Sequence, residues 1–172
     1  VIYTMVLKRS TPQNIVIGGL AGALPAVIGW VAASPIPAIM PWLMVLIVFL
    51  WTPPHFWALA LYRHGDYEKA GVPMLPVTAG IATTKKHILA YTVLLIASSL
   101  APLFVGAGAV YGTGAAILGA IFLRHAWRVL RSDVPRDAMR MFGFSILYLF
   151  LLFGLLLADH LLIMLSILPA LR

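Results

Sequence analysis

LWTPPHFWALALYRHGDYEKAGVPMLPV, Leu50 to Val77, is an apolar run that carries two prolines and a histidine before it turns through Tyr62-Arg63 into a short charged loop. A run of this kind belongs either in a buried core or in a bilayer, and composition decides between them. The chain has 172 residues, of which 62% are hydrophobic and only 10% charged. Its mean hydropathy is +1.01. Soluble domains have about 45–50% apolar and about 25% charged residues, so this chain is built for lipid. A spanning helix needs about 20 mostly apolar residues. The stretches 14–33, 38–62, 88–105, 109–126 and 142–163 meet that need. Rich in Ala, Leu and Gly without strict alternation, they predict helices and not a barrel.

Within the opening stretch, Pro53 and Pro54 remove two backbone donors and leave the carbonyls of Phe49 and Leu50 without helical partners. The expectation is a break in the second span that faces the bundle interior, because lipid cannot satisfy free carbonyls. Trp51, His55, Ala58 and Tyr62 fall on one helical face. At about 1.5 Å per residue His55 lies about 10 Å inside Tyr62, a depth at which an ionisable side chain is a functional candidate. Its plainer reading is a neutral histidine bonded to another helix. The following loop holds Asp66 and Glu68, two of the five acidic residues, with Arg63, His64 and Lys69. The segment AGVPMLPV is too rich in Gly and Pro for a regular helix and is expected to fold back over the mouth of the bundle.

The remaining charges orient the spans. Lys8 and Arg9 precede the first; Lys85 and Lys86 join the loop before the third; Arg124, Arg128, Arg131, Arg136 and Arg140 surround the connection from fourth to fifth. The alternate connections, 34–37 and 106–108, carry no Lys or Arg. The positive-inside rule places the basic side in the cytoplasm. The net charge of +7 is then a one-sided field for anionic headgroups or an anionic substrate. Nucleic acid is a poor alternative as a partner, since these residues hold no soluble basic domain for it. With no cysteine in the chain there is no disulfide, thiolate nucleophile or iron–sulfur site. The first span has small residues four apart, Gly18 with Gly22 and Gly19 with Ala23, which predict close helix packing. Asn14 shares the Gly18 face and is expected to point into the bundle near its cytoplasmic end. Ser132 or Asp133 before Pro135 marks a helix start, Asp137 pairs with Arg140, and Asp159 and His160 are expected at the opposite interface. No zinc, nucleotide or serine-hydrolase motif occurs. His55, His87, His125 and His160 are on different spans and leave bis-histidine haem ligation open.

Three stretches together carry a family resemblance: YTMVLKRSTPQNIVIGGLAGALPAVIGW at Tyr3 to Trp30, WTPPHFWALALYRHGDYEKAGVPMLPV at Trp51 to Val77, and DAMRMFGFSILYLFLLFGLLLAD at Asp137 to Asp159. They resemble the protohaem IX farnesyltransferases, or haem O synthases, of the intramembrane prenyltransferase superfamily. The resemblance covers most of the chain, and its most specific part is PPHFWALAL followed by DYEKAGVPMLP.

It implies an all-α transmembrane fold of nine helices around a cavity open to the cytoplasm. This chain would be its C-terminal part, a single domain of five spans with Val1 to Leu7 closing the helix before them. The implied reaction joins the farnesyl group of farnesyl diphosphate to a vinyl carbon of protohaem IX, with water completing the new side chain. The implied metal is Mg²⁺ on Asp66, with Glu68 a weaker ligand. Lys8 would act with Asp66 on the leaving group, and Arg9, Arg63 and Lys69 would clamp phosphate oxygens. Tyr3, Trp51, Trp57 and Tyr62 would wall the allylic cation, and Asn14 would join the substrate-binding set. His55, where relatives that prenylate phenols carry an aspartate-rich motif, is assigned to the acceptor, as an iron or propionate contact or in proton transfer. It cannot replace Asp as a hard ligand for Mg²⁺.

The sequence departs from the family in three respects. The Tyr3–Lys8 spacing is one residue longer, Pro25-Ala26 stands where Pro-Pro is expected, and the family's first aspartate-rich motif is absent. The residues present therefore hold half of the expected metal site. The implied location is a bacterial plasma membrane or the mitochondrial inner membrane, in association with the enzymes of haem A synthesis. The competing expectations are a prenyltransferase for a quinone- or chlorophyll-type acceptor, and a non-catalytic haem-binding or transport bundle, which would show a repeat of broken helices.

Overall fold

The computed structural model of the chain describes residues 14–34 and 36–167. Among these the regular structure is helical throughout: α1 (Asn14–Ala23), α2 (Pro25–Ala33), α3 (Met40–Tyr62), α4 (His64–Lys69), α5 (Leu75–Thr78), α6 (Ile81–Leu100) with a 3₁₀ turn (Ala101–Val105), α7 (Ala109–Arg131) and α8 (Pro135–Ile167). Five helical segments are long and apolar enough to cross a membrane: Ile15–Ala33, Met40–Tyr62, Ile81–Val105, Ala109–Arg131 and Pro135–Leu165. The helix expected to end at Leu7 lies outside the described residues.

Each observed helix follows from its residues, and most exceed the apolar stretch that announced them. Pro25 sets the joint between α1 and α2. Bonds from Leu24 N to Leu20 O and from Ile28 N to Leu24 O carry the backbone across it, so the two act as one span. α6 begins at Ile81, seven residues before hydropathy locates the span. α8 starts at Pro135, whose fixed φ suits a first helical turn. Helices run on through polar residues at the membrane edge, where hydropathy loses them.

The expected break in the second span is not there. α3 runs unbroken through Pro53 and Pro54, both fully enclosed. A proline's φ is compatible with a helix, and its cost is a lost donor and a crowded preceding turn. Packing on several sides keeps α3 helical through that cost. Thr52 Oγ1 donates back to Val48 O at 2.8 Å within the same turn.

α3 is the central element. It packs on α1 and α2 on one side and on α6 and α8 on the others, while α7 closes the ring between α6 and α8. The core consists of Ile47 and Trp57 of α3, Ile88 and Leu95 of α6, Tyr111 and Phe122 of α7, and Tyr148 and Leu152 of α8. Ser99 gathers its polar groups. Its Oγ donates to Leu95 O and accepts from Tyr148 Oη at 2.8 Å, and its carbonyl accepts from Tyr111 Oη at 2.7 Å.

Two charged contacts fasten the ends. Lys85 Nζ, largely buried, donates to Ser132 O at 2.6 Å and to Asp133 Oδ1 at 2.7 Å, tying α6 to the connection between α7 and α8. At the other end Asp159, expected at the opposite interface, is 3% exposed and accepts from Gly108 N and Tyr111 N. The first turn of α7 has unpaired donors and a partial positive charge, which the carboxylate answers.

Candidate functional site

Trp51 and His55 lie one turn apart on the side of α3 that meets α8. The His55 imidazole is stacked between the Trp51 ring, at 4.2 Å and 18°, and the Phe142 ring, at 4.5 Å and 22°. Phe56 meets it edge-on at 5.0 Å. Its Nδ1 is 2.6 Å from Ser145 Oγ, and Trp51 Nε1 donates to Ser145 O at 2.8 Å. One serine on α8 thus holds both aromatic side chains that α3 sends toward it.

A cavity of about 570 Å³ opens between α1 and α3. Its walls are Gly18, Gly19 and Gly22 of α1, Trp51, Thr52 and Phe56 of α3, and Tyr67, Val72 and Met74 from the charged loop. The loop does fold back as expected: Met74 and Leu75 are 4% and 8% exposed. It does so with two short helices, α4 and α5, flanking the Gly71–Pro73 turn, and Leu75–Val77 of the segment expected to be irregular are helical because Pro76 sits in a first helical turn, where its missing N–H costs nothing. On the other flank of Trp51 an apolar groove runs along α8 past Ile146, Phe150 and Phe153 to Leu157. The Trp51 indole therefore lines both spaces.

The structure brings some of the sequence candidates together and separates others. Arg63 and Asp66 form an exposed ion pair at 3.3 Å, and Glu68 and Lys69 are exposed on the same short helix. Tyr62 is 44% exposed. Trp57 is in the core, on the side of α3 that meets α6, edge-on to His87 at 6.0 Å and Tyr91 at 5.3 Å. Asn14 opens α1. Tyr3, Lys8 and Arg9 lie outside the described residues. Among the described residues no group of three or more His, Cys, Asp and Glu side chains could hold a metal ion. Asp66 remains a single hard oxygen donor beside Tyr67 of the cavity wall. Phe142 and Ser145 were missed by sequence reasoning. The available signal was a small hydroxyl in the apolar run from Met141 to Ala158, where Tyr148 is the one other polar group.

Comparison with known proteins identifies the family. The model of the UbiA prenyltransferase family matches residues 1–153. A protoheme IX farnesyltransferase of Xanthomonas axonopodis pv. citri (strain 306) is 56% identical over 168 residues, covering 95% of this chain and 56% of the relative. One of Burkholderia thailandensis is 56% identical over 161 residues, covering 93% of this chain and 54% of the relative. The chain thus spans about half the length of the curated relatives it matches. No solved structure matches it. With five helices fit to cross a membrane and a family match over most of its length, the chain is part of a multi-pass membrane protein and belongs to the UbiA prenyltransferase family.

Proposed function

We propose that the whole protein transfers a farnesyl group from farnesyl diphosphate to a vinyl group of protohaem IX, giving haem O and diphosphate. The observation that carries this reading is the 56% identity, over 95% of the chain, to a relative named for that reaction. The geometry supports it. A buried histidine clamped between aromatic rings, on the helix that walls an apolar cavity bordered by the charged loop, suits a flat apolar acceptor and an anionic donor.

In the reaction the C1–O bond of the allylic diphosphate breaks and diphosphate leaves. The vinyl π electrons form a bond to C1, and water adds to the carbon left cationic beside the porphyrin, losing a proton. Arg63, Lys69, Lys8 and Arg9 would hold the diphosphate. Trp51, Tyr62 and Tyr3 would face the allylic cation with electron-rich rings. Trp57, enclosed in the core, would support that wall from behind. Asp66 fits Mg²⁺ as one carboxylate ligand, because this ion commonly takes one or two carboxylates and completes its shell with phosphate oxygens and water. When bound, Mg²⁺ supplies positive charge that offsets the charge of the departing diphosphate. The location we propose is the bacterial plasma membrane, as the bacterial relatives suggest, with the enzymes of haem A synthesis as neighbours that consume the product.

The test is conversion by the purified full-length protein of protohaem, farnesyl diphosphate and Mg²⁺ to a farnesylated haem. Conversion of a phenolic acceptor with protohaem left unaltered would overturn the haem assignment.

A further inference from the structure

We propose that the end of the bundle where α6 starts and α7 passes to α8 binds a phospholipid whose headgroup carries a primary ammonium beyond its phosphate, with Lys86 and Lys85 taking the phosphate and Asp133 the ammonium. This surface takes no part in the proposed reaction, and its lipid can be identified whatever the reaction proves to be.

Two cavities, of about 340 Å³ and about 460 Å³, adjoin here and share Ile81, Lys85 and Asp133 as walls. Both fall in the range of small-ligand sites, about 300–1,000 Å³. Lys86 and Leu130 complete the larger one. Three spans end together at this level: Ile81–Val105 begins, Ala109–Arg131 finishes and Pro135–Leu165 begins. One turn before the end of α7, Trp127 is 51% exposed, with the Arg131 guanidinium 5.0 Å from its ring, a pairing suited to the depth of lipid headgroups. From the larger cavity an exposed stripe descends α6, with Ala82 and Lys86 followed at helical spacing by Ala90, Val93, Leu94 and Ala97. An acyl chain hanging from a headgroup held at Lys86 lies along that stripe.

The charges select the headgroup. Lys85, 9% exposed, uses two of its three ammonium protons on Ser132 O and Asp133 Oδ1. The Asp133 side chain is fully open to solvent, and among the described residues no hydrogen bond reaches its Oδ2. Lys86 is exposed and, among the described residues, forms no ion pair. One cavity thus offers both cations and a carboxylate with an open oxygen. A zwitterion matches that pattern when its phosphate lies on Lys86 and the remaining proton of Lys85, and its ammonium on Asp133 Oδ2. A headgroup that is only anionic meets Asp133 as a like charge, and a quaternary ammonium has no N–H to give it. Asp133 therefore discriminates against both.

The experiment uses the full-length protein, stripped of lipid in detergent and titrated with phosphatidylethanolamine, phosphatidylcholine or phosphatidylglycerol of identical acyl chains, with bound lipid counted by native mass spectrometry. The variants are Lys86→Ala, Asp133→Asn and Arg136→Ala. Asparagine keeps an oxygen for Lys85 while removing the charge. Arg136 is an exposed cation at the same end that lines neither cavity, and so controls for general loss of positive charge.

We expect wild type to hold the ethanolamine lipid about 3- to 10-fold more tightly than either of the others. Lys86→Ala should weaken that lipid by a similar factor. Asp133→Asn should bring it level with the choline lipid, whose own binding stays unchanged and so shows that the variant is folded. Arg136→Ala should behave as wild type. Equal or tighter binding of the glycerol or choline lipid in wild type would overturn the inference, as would an ethanolamine preference that survives Lys86→Ala or Asp133→Asn, or an equal loss in Arg136→Ala. Lipid-free dimers that Lys86→Ala dissociates would also overturn it, since a second copy would then be the occupant.

Discussion

At Gly19 one hydrogen atom sets how closely α1 approaches α3. A Cβ there would lie 2.9 Å from Thr52 Cβ, whereas at Gly22 it would meet nothing within 4 Å. Gly19→Ala should therefore cost about 1–3 kcal/mol by overpacking, and Gly22→Ala almost nothing. Thermal unfolding in detergent checks this, and equal shifts in the two variants would refute it. The sequence announced small residues at four-residue spacing, but two such pairs were present. The buried pair is Gly19 with Ala23, while Gly18 is only half-buried and Gly22 is exposed. Spacing reveals a helix stripe, not which stripe faces a neighbour. The same limit hid Ser145, whose partner His55 is 90 positions away. His55 itself was legible because an ionisable group within a span is conspicuous on its own. At the diphosphate end, Asp66→Asn and Lys8→Ala in the full-length enzyme should each lower turnover about 10²–10³-fold with membrane insertion intact. Near-normal turnover in either variant would remove that residue from the reaction.

Among the elements, α3 and α6 show what sequence reading could and could not reach. Two consecutive prolines predict a break from local rules, yet α3 is enclosed by several helices whose packing outweighs two lost backbone bonds. Tertiary context of that kind leaves no trace in a local window. The tie between α6 and the connection from α7 to α8 carries a pH signature. The Lys85 ammonium, by its hydrogen bond and then by its charge, holds the Asp133 carboxyl below the usual carboxylate range. A depressed folded-state value means that the contribution is fully present above the ordinary Asp value of about 3.9 and is lost as the pH falls through the folded-state value. Since Asp133 is open to water, the effect is small. Thermal midpoints of wild type and Asp133→Asn should differ at neutral pH and converge in acid. A gap that persists unchanged to about pH 3 would count against the tie.

For the whole molecule, the number of spans was legible because hydropathy reports directly on the solvent each segment needs. The order in which the helices pack was not, since it depends on side chains that meet across the chain. The alternation of charged and uncharged connections predicts that the Arg63–His87 loop faces the cytoplasm and Ser34 the other side. In a Cys-free full-length background an impermeant thiol reagent added to intact cells should label Ser34→Cys and spare Asp66→Cys; the reverse pattern would invert the topology. Asp159 has a consequence for how such a protein is made. The two backbone amides that it caps precede it by 51 and 48 residues, and Gly108 leaves room for its carboxylate where a Cβ would stand 2.8 Å from Oδ1. During synthesis α7 enters the bilayer with that end uncapped until α8 follows it. A chain halted before residue 159 would present two bare amides at the membrane, a defect that membrane proteases and chaperones can read as incompleteness. α8 thereby completes the start of α7.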